Sequence, residues 1–330
     1  MTIIILGETM ELVIIGSMGY DDIQSPSGRT SGVLGGSAVY SGLSAAFHAR
    51  DMGQEKLSVG IVSIVGSDFD SESEEKLIRA GLRLDGMQKS EKPTFRWSGK
   101  YEGSMDHAVT ISTEVNALSD LVPVLPTSWK NPQILFCSSA SPESQNLVLD
   151  ANQGSLVTAL DTFQLWIEKD FPGLSVALRK VDIAIFNEDE VITIGKHPNY
   201  IVSASKIMSG ENLHGGILAG RGPECLIVKR GSSGCVCIHS EGIITLPAYP
   251  SENVVDPTGC GDVFAGAFLA QLTPLEGRIG DIESMRRALI HATVTSSFNI
   301  ETFGTDAICE LKRGKYRARL DSYRRMVGII

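Results

Sequence analysis

The sequence lacks any stretch near the roughly twenty consecutive apolar residues that cross a bilayer, so no membrane partner is expected. It also lacks a basic surplus. Lys and Arg number 29 against 39 Asp and Glu, a formal net charge of −10, whereas proteins that bind a phosphate backbone carry excess positive charge. No nucleic-acid partner is expected; a small phosphorylated ligand, which needs only a few placed donors, remains open. The six cysteines (Cys137, Cys225, Cys235, Cys237, Cys260 and Cys309) include no C-x-x-C pair of the zinc or redox kind. They read as buried free thiols in a reducing compartment, with Cys235 and Cys237 on one side of a strand. The histidines form no ligand-spaced cluster. Ile3–Leu6 is too short for a signal-peptide core, has no basic start and is followed by Glu8, so a cytoplasmic location is expected.

Two nucleotide-binding signatures are missing as well. Gly215 and Gly220 have the glycine spacing of a Walker loop, but Arg221 and Gly222 stand where Lys and Ser or Thr are needed. Gly16-Ser17-Met18-Gly19 does not supply the G-x-G-x-x-G of a dinucleotide fold. Internal repeats, low-complexity tracts and linkers are absent too, so one domain over residues 1–330 is expected.

What is present is an ordinary globular composition, 42% hydrophobic and 21% charged. Apolar strand-like runs (Leu12–Ile15, Leu57–Val65, Ile134–Cys137, Leu156–Leu160, Ile183–Phe186, Leu226–Val228) alternate with helical patterns such as Ser37–Ala49 and Ser71–Gly81. That alternation predicts a mostly parallel sheet covered on both faces. A β-rich stretch follows from Cys235 to Leu246. Phe95–Ile111 breaks the rhythm: polar and apolar residues alternate with no helix between, and Gly103 near the middle predicts an antiparallel excursion. Met10 precedes Glu11-Leu12-Val13, so residues 1–9 either lie outside the core fold or add an edge strand.

The segment richest in chemistry is Asp256-Pro257-Thr258-Gly259-Cys260-Gly261-Asp262, which opens into the apolar helix VFAGAFLAQL. A glycine turn at a helix start offers free N–H groups and the positive end of the helix dipole, an anion site. Gly259 and Gly261 permit close approach, and Cys260 is small. Asp262 alone would read as a helix cap. Beside an anion site it can instead orient an attacking hydroxyl and take its proton, as phosphoryl transfer requires.

These residues resemble the signature D-T-x-G-A-G-D of the ribokinase-like, or PfkB, carbohydrate kinases, with departures at Pro257 and Cys260. The resemblance implies a three-layer α/β/α sandwich with a mostly parallel central sheet. A small β-sheet lid would come from about 93–113 and part of the N-terminal region. It implies Asp262 as base and Gly259, Cys260 and Gly261 as the anion hole. Gly16–Asp21 resembles the family's first strand, ending in a substrate-binding Asp21 (Asp22 being the alternative), and a carboxylate there can accept from two neighbouring hydroxyls. Gly35-Gly36 resembles the di-glycine motif that lies against the acceptor, and Arg96–Tyr101 falls where relatives grow the lid, placing Arg96 at the substrate. Val65-Gly66-Ser67-Asp68 matches a structural V-G-x-D turn.

Asn187 and Glu190 match the N-x-x-E motif tied to Mg²⁺ and phosphate placement, with Glu190 reaching the metal through water. Lys229, Gly231, Gly234 and Asp256 fall where the family meets the nucleotide. Tyr40 replaces the Asn that bonds the acceptor in sugar kinases. It is either a stacking face for a nucleoside or cyclitol, or a packing residue. The seven basic residues from Lys312 to Arg325 read as a solvated, ion-paired helix face. The activity implied is ATP- and Mg²⁺-dependent transfer of the γ-phosphoryl to a hydroxyl of a small sugar-like acceptor; some relatives dimerise through the lid, and the sequence leaves a homodimer of that kind open. A nucleoside or cyclitol kinase and a non-catalytic metabolite binder are the alternatives. The binder is disfavoured because Asp262 and the glycines are present.

Overall fold

Short runs with no polar residue, such as Leu-Val-Ile-Ile at 12–15, fit only where both faces of a sheet are covered. In a computed structural model of the chain, which describes residues 10–51, 58–152, 154–272, 279 and 281–329, those runs form the centre. The expectation for residues 1–9 lies outside the described residues.

In chain order the strands are β1 (Leu12–Ile15), β2 (Gly19–Ser25), β3 (Gly28–Gly35), β4 (Val59–Gly66), β5 (Leu82–Ser90), β6 (Phe95–Tyr101) and β7 (Ala108–Glu114). They continue with β8 (Ile134–Cys137), β9 (Val157–Leu160), β10 (Ile183–Asn187), β11 (Cys225–Lys229), β12 (Cys235–His239) and β13 (Gly242–Leu246). Among the described residues nine strands make one sheet, in the order β13-β12-β11-β10-β9-β8-β1-β4-β5. It is parallel from β5 to β11 and ends in the antiparallel β12–β13 hairpin.

Alternation along each strand divides two cores. Leu12, Ile14, Ile134, Phe136, Ile183 and Ile185 pack on one face, and Val13, Ile15, Leu135, Cys137, Ala184 and Phe186 on the other. The first core is covered by α1 (Ser37–Asp51) and α2 (Ser71–Arg79), and the second by α3 (Pro142–Ala151), α4 (Gln164–Lys169), α5 (Phe171–Leu178), α6 (Glu188–Gly195) and α7 (Tyr200–Ser209). The chain then returns to the first face with α8 (Cys260–Leu272), α9 (Ile282–Asn299), α10 (Asp306–Cys309) and α11 (Arg313–Met326). The expected three layers are present. Cys235 and Cys237 do share a face, both in the first core. On α11, Lys315 and Arg319 pair with Glu301, and Arg319 also lies over the Phe298 ring at 3.6 Å.

A second sheet, β3-β2-β6-β7, stands apart from the first. Gly103, at a φ of 58°, lies in the turn between β6 and antiparallel β7. This corrects one sequence reading. The main sheet's first strand ends at Ile15, and Asp21 lies on β2 of the small sheet. Between them Gly16 and Gly19 must be bare, because a Cβ would strike Ser37 Oγ at 2.8 Å and the Phe95 carbonyl at 2.4 Å. The 65–68 turn joins the two sheets: Asp68 accepts from the N–H and the hydroxyl of buried Thr94, each at 2.6 Å, at the root of β6.

Helix α8 is buried from Val263 to Ala270, as a helix apolar on every side must be. It lies against α1 and α9. At the α1 crossing a Cβ on Gly266 would stand 2.0 Å from the carbonyl oxygen of Ser41, so only glycine allows this separation. Gly266→Ala is expected to cost about 1–3 kcal/mol by forcing the helices apart, seen as a lower thermal midpoint; an unchanged midpoint would contradict this packing.

Candidate active site

The C-terminal ends of parallel strands leave a crevice where α/β proteins bind ligands. Here β9 delivers Asp161, β10 delivers Asn187, and β11 delivers Lys229. Asn187 caps α6 with its side chain accepting from the Glu190 N–H at 2.8 Å. Glu190 replies by accepting from the Asn187 N–H at 2.8 Å, a complete capping box. That bond fixes the Glu190 carboxylate in a buried position. Burial first, then the charge of Asp161, pushes its pKa up to about 8.

The glycine turn before α8 is braced from behind. Asp256, 1% exposed, accepts from the Thr258 N–H at 2.8 Å and the Gly304 N–H at 3.3 Å. Asn299 donates to the Thr258 carbonyl at 2.7 Å. Gly259 has a φ of +72°, and a Cβ there would lie 2.4 Å from Cγ of Tyr40, whose ring forms the floor under the turn. Asp262 sits half-buried in the first turn of α8. Burial, reinforced by Asp161 and opposed by Lys229, raises its pKa to about 7.

The small sheet faces this turn. Tyr101 accepts from the Thr258 hydroxyl at 3.2 Å, and Ser25 donates to the Val255 carbonyl at 2.7 Å. Asp21, 3% exposed, is held above the usual carboxylate range by burial and then by the charges of Asp256, Asp262 and Asp22. Gly35 is bare because a Cβ would meet Asp21 Oδ2 at 2.0 Å, and Gly36, at a φ of +99°, lies against the Ser17 carbonyl.

The structure therefore brings Asp21, Gly35, Tyr40, Gly259, Gly261, Asp262, Glu190 and Lys229 into one region. Several expected contributors are placed differently. Arg96 pairs in register with Tyr20, on the face opposite Asp21; it reaches Asp68 at 3.4 Å and lies over the Tyr20 ring. Its neighbour Trp97 is the residue paired with Asp21. The Cys260 N–H closes the turn on the Pro257 carbonyl at 3.1 Å and is engaged there. Asp256 points into the fold. Gly234, at a φ of +89°, is bare because β13 passes: a Cβ would meet the Leu246 carbonyl at 2.0 Å. Gly231, at a φ of +51°, lies against Asp106 from the β6–β7 turn, which accepts from the Ser232 N–H at 2.8 Å. Asp22 accepts from the Gly32 N–H at 2.7 Å within the small sheet and is half-buried there.

Tyr40 is a packing residue by its ring, 1% exposed, while its hydroxyl has no hydrogen-bond partner among the described residues. The sequence reading missed Asp161, Trp97 and Tyr101. An acidic residue directly after the fully covered β9 was the available signal for Asp161; nothing local distinguishes the two aromatics.

Residues 11–312 match the model of the pfkB family carbohydrate kinases. The chain belongs to that family. It is 29% identical to a cytidine kinase of Thermococcus kodakarensis over 79% of this chain and 88% of the relative. It is 24% identical to an inositol 3-kinase of Arabidopsis thaliana over 79% of this chain and 67% of that one. An E. coli chain described as a ribokinase II, solved with ATP and Mg²⁺, superposes with a TM-score of 0.71 at 19% identity, covering 95% and 99% of the two chains.

The raised carboxylates of this kinase have a measurable cost. A carboxylate whose pKa is higher folded than unfolded binds its proton more tightly in the native state, so its ionisation erodes stability as pH rises. For Asp262 the window runs from its ordinary 3.8 to about 7. Asp262→Asn is expected to melt above the ligand-free parent, by a margin that grows across that window and is constant beyond it. A margin independent of pH, in melts run from pH 4 to 8, would refute the assignment.

Proposed function

We propose that this kinase transfers the γ-phosphoryl of ATP to a hydroxyl of a nucleoside, with Asp262 as general base. The observation that carries the catalytic part is the placement of Asp262 in the first turn of α8. There a half-buried carboxylate with a raised pKa shares one helix start with the amides of Gly259 and Gly261. A base near neutrality beside an anion site suits proton removal from an alcohol late in an in-line transfer. Asp21, across from this turn, accepts hydrogen bonds from acceptor hydroxyls.

The nucleoside reading is favoured by the inner face of the small sheet. Trp97 is half-buried beside Ile23, Val33, Tyr101 and Phe303, on the sheet face that carries Asp21. An indole there offers a flat apolar partner to a base, which a pentose or an inositol does not need. The likeness to a cytidine kinase points the same way. The small sheet acts as the lid that excludes water from the transfer.

The residues present fit Mg²⁺ held by the nucleotide phosphates and water. Among the described residues no group of three ligating side chains is close enough to form a direct cage, and Glu190 already accepts from the Asn187 N–H. Asp161, Glu190 and Asp262 nevertheless crowd three carboxyl groups around one ammonium, and a hard cation arriving with water would favour their ionised forms. When bound, the ion neutralises phosphate charge. Glu190 would orient its water, Gly259 and Gly261 would hold the transferred oxygens, and Asp262 would receive the hydroxyl proton.

The test is ADP release with ATP and Mg²⁺ over cytidine, uridine, adenosine, ribose and myo-inositol. Turnover is expected with a nucleoside, to fall by about 10²–10⁴-fold in Asp262→Asn, and to leave ATP affinity nearly unchanged. In the parent it should decline as pH drops below about 7, where Asp262 takes up its proton. Near-normal turnover in Asp262→Asn would remove the base assignment. Trp97→Ala should raise the KM for the nucleoside and leave that for ATP; turnover confined to ribose or inositol would overturn the nucleoside reading.

A further inference from the structure

Lys229 and Asp161 lie at the ends of strands separated by β10, and the lysine crosses that gap to bring its ammonium 2.6 Å from Asp161 Oδ2. The Asp161 side chain is buried, 5% exposed, and that of Lys229 is mostly covered, 16% exposed. The carboxylate cannot turn away, because Oδ1 accepts from the Thr162 N–H at 2.8 Å. Its backbone is pinned too: the Asp161 N–H donates to the Cys137 carbonyl at 2.8 Å, and Gln145 donates to the Asp161 carbonyl at 3.0 Å. The ammonium also rests on the anion turn, since a Cβ at Gly261 would stand 3.1 Å from Lys229 Nζ.

Three carboxylates compete for this one ammonium. Burial alone would lower the Lys229 pKa, but Asp161, Glu190 and Asp262 together raise it. Among the described residues only Asp161 comes within ion-pair distance. Were Lys229 to swing to Asp262, it would stabilise the carboxylate in its ionised form and so weaken the base.

We propose that Asp161 is a positioning residue, which holds the Lys229 ammonium against the first turn of α8, facing the phosphoryl group in transit and away from Asp262. The proposal rests on the kinase reading above. It adds a cation to the two amides of the anion site, at a point where charge spreads over the transferred oxygens.

The test compares Asp161→Asn, Lys229→Met and the double variant. It measures kcat with ATP and the acceptor found in the panel, and ADP affinity by calorimetry in Mg²⁺. Because the pair acts as a unit, Asp161→Asn should lower kcat by about 10²-fold while changing the ADP Kd by less than about threefold. The double variant should be no slower than Lys229→Met. Losses that multiply in the double variant, or an ADP Kd that weakens in step with kcat, would overturn the proposal. Asp161→Asn leaves a buried ammonium unpaired and could fail to fold. The double variant buries no unpaired charge, and its comparison with Lys229→Met then decides: equal kcat supports the proposal, a further tenfold fall overturns it. A parent chain that neither binds ATP nor releases ADP would remove the catalytic reading itself. An active parent with multiplying losses would remove only the role of Asp161.

Discussion

Where α8 crosses α1, Gly266 lies against the carbonyl of Ser41 with no room for a side chain. That close approach sets the depth at which α8 begins. It places the ring of Tyr40, on α1, directly beneath Gly259, on the turn that leads into α8. The turn is held from below by an aromatic face, from behind by Asp256 and Asn299, and from the side by the Lys229 ammonium. Its free amides are therefore aimed before any ligand arrives, which is what makes backbone donors effective against developing charge.

Electrostatics then divides the labour. Asp161, Glu190, Asp262 and Asp21 are all at least half-buried, and one half-buried lysine serves the first three. Such a cluster is poorly compensated without ligand. Burial, with repulsion added at Asp21, Glu190 and Asp262, raises the pKa of every carboxyl in it, that of Asp262 to about 7, a pattern common at sites that move protons. The stability given up in the empty protein and the chemistry available in the loaded one have the same origin. Asp161 occupies the Lys229 ammonium, and in the proposed mechanism this keeps the cation and the base from cancelling one another.

Much of the fold could be read from the chain. The all-apolar runs at 12–15, 134–137 and 183–186 had to lie in a sheet covered on both sides, and the polar–apolar alternation after Phe95 had to leave it. The turn at 256–262 was legible because two glycines and an acidic residue at a helix start carry their chemistry locally. The assignment of faces in the small sheet was less accessible. Arg96 and Trp97 are adjacent, and which one joins Asp21 depends on the parallel register of β2 with β6. A shift of one residue would exchange them, and the sequence between the strands does not fix that register.

The sequence by itself determined the layers, the glycine turn at the start of α8 and the carboxylate beside it, since hydrophobic period, glycine conformation and helix polarity are local properties. Only the tertiary structure decided which groups surround that carboxylate. Asp161 and Lys229 are 68 residues apart in the chain and 2.6 Å apart in space, and Tyr40 and Gly259 meet through a helix crossing. Such pairs depend on strand order and on the distance between packed helices, which are properties of the assembled core and of no single segment within it.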